Sequence, residues 1–167
     1  PNAGHRALAA LAQRVPLSLV TQNVDDLHER AGSIVDAHVH GSLFALRCFA
    51  CGRAHDGPLD DYVDGVQRIE PMRCAACGDR IRPGVVWFGE ALPEAAWASA
   101  VSAAGRCALM LVVGTSGLVY PAAGLPGLAR RHGAIVVEIN PELTALSAEA
   151  DHVWRAPAAQ ALPLLVR

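Results

Sequence analysis

Apolar and polar positions along the chain switch between two periods, one near 3.6 residues and one close to a continuous apolar run. Residues 2–14 are rich in Ala and Leu on one helical face, just after Pro1, and predict an opening helix. Residues 16–20 are apolar and run into polar residues, as a buried strand feeding a loop does. A short helix follows over 25–31, ended by Gly32, and then an extended piece over 33–39. Between 43 and 72 the periodicity fades into cysteines, Gly57, Pro58 and polar residues, which marks an inserted module without a core of its own. Strands are then expected at 85–88, 107–113, 134–139 and 151–154, with helices at 93–104, 121–132 and 158–167, the last disturbed by Pro163. Strands alternating with helices predict a parallel, Rossmann-like α/β sheet. Ligands of such sheets sit beyond the carboxyl ends of the strands.

Composition narrows the function classes. Hydrophobic residues make up 52% of the 167, enough for a buried core, and charged residues 18%, too few for a disordered chain. The net charge is −2 and the 14 Lys and Arg are scattered, so no nucleic-acid partner is expected. No apolar run reaches the roughly 18 residues of a membrane span, and no signal peptide is visible. The first residue is Pro, not Met, so the reading frame is expected to begin earlier or the chain to have been cut.

Four of the five cysteines form two pairs, Cys48-x-x-Cys51 and Cys74-x-x-Cys77, with 22 residues between them. Two such knuckles suit one tetrahedral zinc held by four thiolates, which leaves no open position and makes the ion structural. Gly52 and Gly78 follow the knuckles, where tight turns are needed. The alternative is a redox dithiol pair or unliganded thiols. Thiols in this pattern suit a reducing compartment, here the cytoplasm. Cys107, in an apolar run, reads as a small core residue. The expected organisation is a zinc-binding module at 45–79 inserted into a Rossmann-like domain made of 1–44 and 80–167.

Three strand ends carry small or polar groups: Thr21-Gln22-Asn23-Val24-Asp25, Gly114-Thr115-Ser116 and Asn140-Pro141-Glu142. Thr21 to His28 with Ala31-Gly32, His38-Val39-His40-Gly41, the two knuckles, Arg82-Pro83, Val85-Val86-Trp87-Phe88-Gly89-Glu90, Gly114-Thr115-Ser116 and Val119-Tyr120-Pro121-Ala122-Ala123 follow one another in order. This ordered set resembles the sirtuins, NAD-dependent protein-lysine deacylases, and most of all the class holding bacterial deacylases and desuccinylases. The resemblance implies that an acyl-lysine carbonyl oxygen attacks C1′ of the nicotinamide ribose and that nicotinamide leaves. A histidine then acts as base on a ribose hydroxyl, and the products are free lysine and an O-acyl-ADP-ribose.

The residues suit these tasks. His40 is the candidate base, because histidine is the side chain whose unperturbed pKa, roughly 6.5, lies near working pH. Asn23 and Asp25, counted with His40 as catalytic, can orient ribose hydroxyls and the carboxamide, and Gln22 adds a hydrogen bond. Thr115 and Ser116 can hold ribose and phosphates. Asn140 and Glu142 suit the adenosine ribose. The family pattern puts Ala158 beside the adenine. It also lays the acyl-lysine peptide as a strand against Val86, Phe88, Gly89 and Glu90 on one side and Val119 on the other. His5, His28, His38 and His132 read as surface or structural histidines, and Trp87, Trp97 and Trp154 as packing residues.

Two departures stand out. The family's Gly-Ala-Gly-x-Ser loop, which neutralises the pyrophosphate, is absent from these residues, so the sheet is expected to be incomplete at its N-terminus and NAD affinity to fall steeply. Exposed apolar flanks would then favour self-association. Gly84 stands where many relatives have His and is expected to loosen the channel entrance. The competing readings are a non-catalytic zinc-ribbon module that docks a peptide or partner, and a zinc-stabilised redox protein.

Overall fold

The structure is a computed structural model that describes residues 1–57 and 70–167; the middle of the expected inserted module, 58–69, lies outside the described residues. Helix α1 spans Ala3–Leu11. Asn2 caps it reciprocally: its side chain accepts from the Gly4 and His5 amides, and the His5 ring accepts from the Asn2 amide. Strand β1 is only Val20–Thr21, pairing in parallel with β2, Ala37–His38. It is shorter than the 16–20 expected because the Leu19 amide is taken by the Asp36 carboxylate at 2.7 Å and not by a ladder. Helix α2, Leu27–Arg30, ends as anticipated at Gly32, whose φ of 92° is open to glycine without strain.

Strands β3 (Leu46–Cys48) and β4 (Ile81–Pro83) form an antiparallel hairpin that carries the first knuckle, and its second strand lies past residue 79. No strand forms at 85–88. The Val86 amide donates singly to the His40 carbonyl at 2.9 Å, and the Trp87 amide goes to the Glu90 carboxylate at 3.0 Å, so no ladder is left to build.

The rest follows the βα alternation. Helix α3 is Glu94–Arg106, β5 is Leu109–Val113, α4 is Leu125–Arg131 after a 3-10 turn at Ala122–Gly124, β6 is Ile135–Ile139 and β7 is His152–Trp154. Helix α5, Ala158–Ala161, tightens into a 3-10 turn at Leu162–Val166 because Pro163 has no N–H to continue the α ladder. Strands β5, β6 and β7 pair in parallel in that order. Among the described residues the parallel strands therefore fall into two groups, not one continuous sheet.

Apolar residues pack on both faces of β5–β6, which explains their apolar runs, although Leu109 and Ile135 at the strand starts are half-exposed. Leu111, Val113, Val137 and Ile139 pack against Ala7 of α1 and Ala161 and Leu162 at the chain's end. Met110, Val112 and Val136 face the other way, toward Leu146 and the alanines Ala104, Ala129 and Ala134. Small residues there let α3 and α4 sit close together. Trp97 and Trp154 pack as expected, and Cys107 joins the alanine cluster. Val39, just after β2, is wholly buried against Ala37, Ala100 and Ala122, a contribution of about 2 kcal/mol. That burial anchors the residue next to His40. No helix of the described residues is long and apolar enough to cross a membrane.

Candidate active site and metal centre

His40 sits two residues beyond the β1–β2 pairing, and between them the Val39 amide still donates to the Thr21 carbonyl at 3.0 Å. Its Nδ1 lies 3.1 Å from the Gln22 carbonyl oxygen. A carbonyl can only accept, so Nδ1 carries the proton, and in the neutral ring Nε2 keeps its lone pair. Gly41 follows with φ of 74°, and a β-carbon there would lie 2.0 Å from the Gly84 carbonyl oxygen. The histidine turn is therefore pressed against the backbone at residue 84. Gly84 itself has no room: a β-carbon would meet the Ala45 carbonyl at 2.1 Å. The expected loosening at this position is not what the backbone shows, because two chain segments touch there.

The strand tips are stitched together. Gln22 Nε2 donates to Thr115 Oγ1 at 3.3 Å, and Asn140 Nδ2 donates to the Thr115 carbonyl at 3.1 Å. Tips of β1, β5 and β6 thus meet through Thr115. An open cleft of about 350 Å³ lies here, lined by Gly114, Thr115, Ser116, Asn140 and Glu142, with Leu118 and Leu143 beside them. The amide of Asn23 is fixed by Thr21 Oγ1 at 3.0 Å and its carbonyl by His38 Nδ1 at 3.2 Å, while its side chain is exposed. Val24 accepts the Leu43 amide at 2.8 Å. Asp25 spends one oxygen on the Leu27 amide at 3.0 Å. Pro141 and Glu142 are exposed, and Arg155 holds their loop through the carbonyls of Asn140 and Glu142 at 3.0 and 2.6 Å. Ala158 opens α5 against α1 and is not among the residues lining the cleft.

Arg155 is in turn held by Glu138, only 1% exposed, at 2.7 Å. Burial alone would raise the Glu138 pKa. Hydrogen bonds from Ser147, Thr144 and Arg155 outweigh that and lower it. The alternation of β6 did not disclose this pair, since a lone Glu inside an apolar strand carries no sign of its partner. His38 is a satisfied structural histidine, with Nε2 at 2.6 Å from Glu29. His28 is half-buried against the His5 ring at 4.8 Å, and burial lowers its pKa.

Cys48 Sγ lies 3.4 Å from Cys77 Sγ, Cys51 Sγ lies 3.7 Å from Cys74 Sγ, and all four sulfurs are within 4.8 Å of one another. Zinc–sulfur bonds of about 2.3 Å put tetrahedral sulfurs roughly 3.8 Å apart, so the cluster fits one zinc ion. None of these separations approaches the roughly 2.05 Å of a disulfide. The Ala76 and Cys77 amides pull the Cys74 thiol down to about 6, while at Cys77 the Asp79 amide pulls down but the Cys48 and Cys51 sulfurs outweigh it and push the thiol up to about 12. Gly52 and Gly78 turn each knuckle at positive φ, as expected.

Of the residues assigned to the peptide, Phe88 is 98% exposed and Val119 is exposed beside Leu118 and Tyr120. Gly89 has φ of 89° in the turn closed by the Glu90 amide on the Trp87 carbonyl at 2.9 Å. Glu90 points its carboxylate at Arg82, with oxygens 2.7 and 2.9 Å from the two terminal nitrogens. Trp87 is half-exposed and packs at the surface, its ring centre 3.7 Å from that guanidinium and 5.9 Å from the Phe49 ring.

Comparison with known proteins agrees with this geometry. The Sir2 family profile matches residues 1–121. The "NAD-dependent protein deacylase 1" of Pseudomonas aeruginosa is 55% identical over 170 residues, spanning 100% of this chain and 68% of that protein. A solved Sir2 homologue–NAD complex superposes with a TM-score of 0.89 at 43% identity, covering 100% of this chain and 64% of the other. Sir2Tm bound to a propionylated peptide superposes with a TM-score of 0.87 at 32% identity, covering 99% and 69%. The chain thus spans about two thirds of the length of the proteins it matches. With its histidine turn, stitched strand tips and four-sulfur cluster arranged in that order, the chain belongs to the Sir2 family.

Proposed function

We propose that this chain carries the catalytic part of an NAD-dependent protein-lysine deacylase that removes acetyl or succinyl-type groups. The observation that bears most weight is the His40–Gln22 hydrogen bond, which protonates Nδ1 and leaves Nε2 as a base. When bound, NAD would supply the glycosidic bond whose rupture drives the reaction. The residues at 1–44 and 80–167 bind it. Thr115, Ser116 and Gly114 take ribose and phosphate at the cleft, Asn140, Pro141 and Glu142 the adenosine ribose, and Ala158 the adenine side. Gln22, Asn23, Val24 and Asp25 orient the nicotinamide end, where an exposed Asn23 side chain and the second Asp25 oxygen are available donors and acceptors. His40 Nε2 accepts the proton of a ribose hydroxyl. The zinc module of 45–79 is structural, since four thiolates leave no open coordination position. Its reduced thiolates suit the cytoplasm.

An acyl-lysine peptide lies as an extra strand against Val86, Phe88, Gly89 and Glu90 and against Val119. Support comes from the bare apolar side chains on both segments and from the propionylated peptide bound by Sir2Tm. No glycine-rich phosphate loop occurs in these 167 residues, so the isolated polypeptide binds NAD weakly. The test is His40→Ala in the longest available form of the protein. Formation of free lysine peptide and O-acyl-ADP-ribose from NAD and an acyl-peptide, the step after nicotinamide has left, is expected to fall by about 10²–10⁴-fold while peptide binding persists. Undiminished deacylation refutes the role of His40, and peptide binding without any wild-type turnover favours a non-catalytic docking module.

A further inference from the structure

We propose that Arg82 and Glu90 are positioning residues for the acyl-peptide, a clamp that presets the segment from Val85 to Glu90 against the zinc hairpin. The inference rests on the peptide-docking reading above and assigns that segment's shape to two side chains outside the cleft.

Arg82 lies on β4 directly opposite Arg47 on β3. Two like charges in register repel each other unless an acid lies between them. Glu90 is that acid. It takes both terminal nitrogens of Arg82 and, at 3.1 Å, Arg47 Nη2. Arg82 is only 8% exposed while the Glu90 side chain is 32% exposed, so removing the acid would leave a buried guanidinium without its partner.

The same fork fixes the backbone between its two ends. Arg82 Nε donates to the Pro83 carbonyl at 3.2 Å, and Nη2 donates to the Val85 carbonyl. Glu90 accepts the Trp87 amide, and the Trp87 ring covers the guanidinium. His40 holds the Val86 amide. Residues 83–87 are thus pinned at Pro83, Val85, Val86 and Trp87, yet Phe88 stands 98% exposed. An aromatic ring held out in water on a fixed backbone is what a preformed docking edge looks like. Fixing it beforehand lowers the ordering cost that peptide binding would otherwise meet.

The test measures affinity of the zinc-loaded protein for fluorescein-labelled acetyl-lysine and succinyl-lysine peptides by anisotropy, beside steady-state constants and zinc content. Glu90→Gln keeps the shape and removes the charge. Peptide Kd and KM are expected to rise about tenfold, with KM for NAD moving less than about twofold and zinc content unchanged. Arg82→Lys, which keeps a charge without the fork, is expected to do the same, and the double variant to add little to either. If Glu90→Gln loses zinc, Glu90→Asp serves: a raised peptide Kd with zinc retained supports the clamp. Unchanged peptide Kd in the variants, or equal loss for peptide and NAD, overturns it. Wild-type protein that binds neither peptide overturns this inference together with the docking reading. Wild-type protein that binds peptide without turnover overturns only the enzymatic one.

Discussion

Gly41 has no space for a side chain, because its φ of 74° is left-handed and its β-carbon would sit 2.0 Å from a backbone oxygen. Gly41→Ala is therefore expected to cost about 2 kcal/mol or more and to push His40 off the Gln22 carbonyl. Thermal unfolding should drop by several degrees and turnover should fall with it; a variant with wild-type Tm contradicts the close approach. The carboxylates make a second residue-level prediction. The Arg82 hydrogen bond, helped by the Trp87 amide, holds Glu90 at about 2, down from 4.5. Glu138 is also lowered, with Ser147, Thr144 and Arg155 overcoming its burial. A depressed folded pKa stabilises above the unfolded value and is lost as pH falls through the folded one. Stability is expected to hold at neutral pH and to decline from about 4.5 toward about 2, and Glu90→Gln to flatten part of that decline. Thermal melts across this range check it, and an acid limb as steep as wild type in the variant counts against the fork.

The hairpin of β3 and β4 is the element with least support of its own. Its buried cluster is Leu46, Cys48, Cys74 and Ile81, so half of that core is metal-binding sulfur. So small a unit depends on its ion for stability. Elemental analysis is expected to find one zinc per chain. Chelation or Cys48→Ser is expected to lower Tm and to weaken peptide binding more than NAD binding, since the hairpin carries Arg47 and Arg82. A chelated protein with unchanged melting would remove the metal from the account. The segment at 85–88 shows how an element can be misread. Val85-Val86-Trp87-Phe88 has high strand propensity, but propensity says nothing about partners. His40 and Glu90 claim its amides, and the ladder moved to Ile81–Pro83 instead.

Over the whole molecule, two parallel strand groups meet at their polar tips through one residue, Thr115. Thr115→Val removes the hydroxyl that Gln22 reaches while leaving the carbonyl that Asn140 uses. The expected result is an increase of about tenfold in KM for NAD with peptide Kd unchanged, measured by nicotinamide release and anisotropy. Equal effects on both ligands would mean that the stitch supports the fold generally and not the cleft.

What the sequence determined by itself was local: the knuckles with their glycines, the stop of α2 at Gly32, the covered strands β5 and β6, and polar residues at three strand ends. Spacing and period decide such features because each depends on neighbours a few residues away. Only the tertiary structure decided which groups meet across distance. It fixed the His40 tautomer through Gln22, paired buried Glu138 with Arg155, and joined Glu90 to Arg82. Charges and carbonyls find partners by position in space, and position along the chain does not encode that pairing.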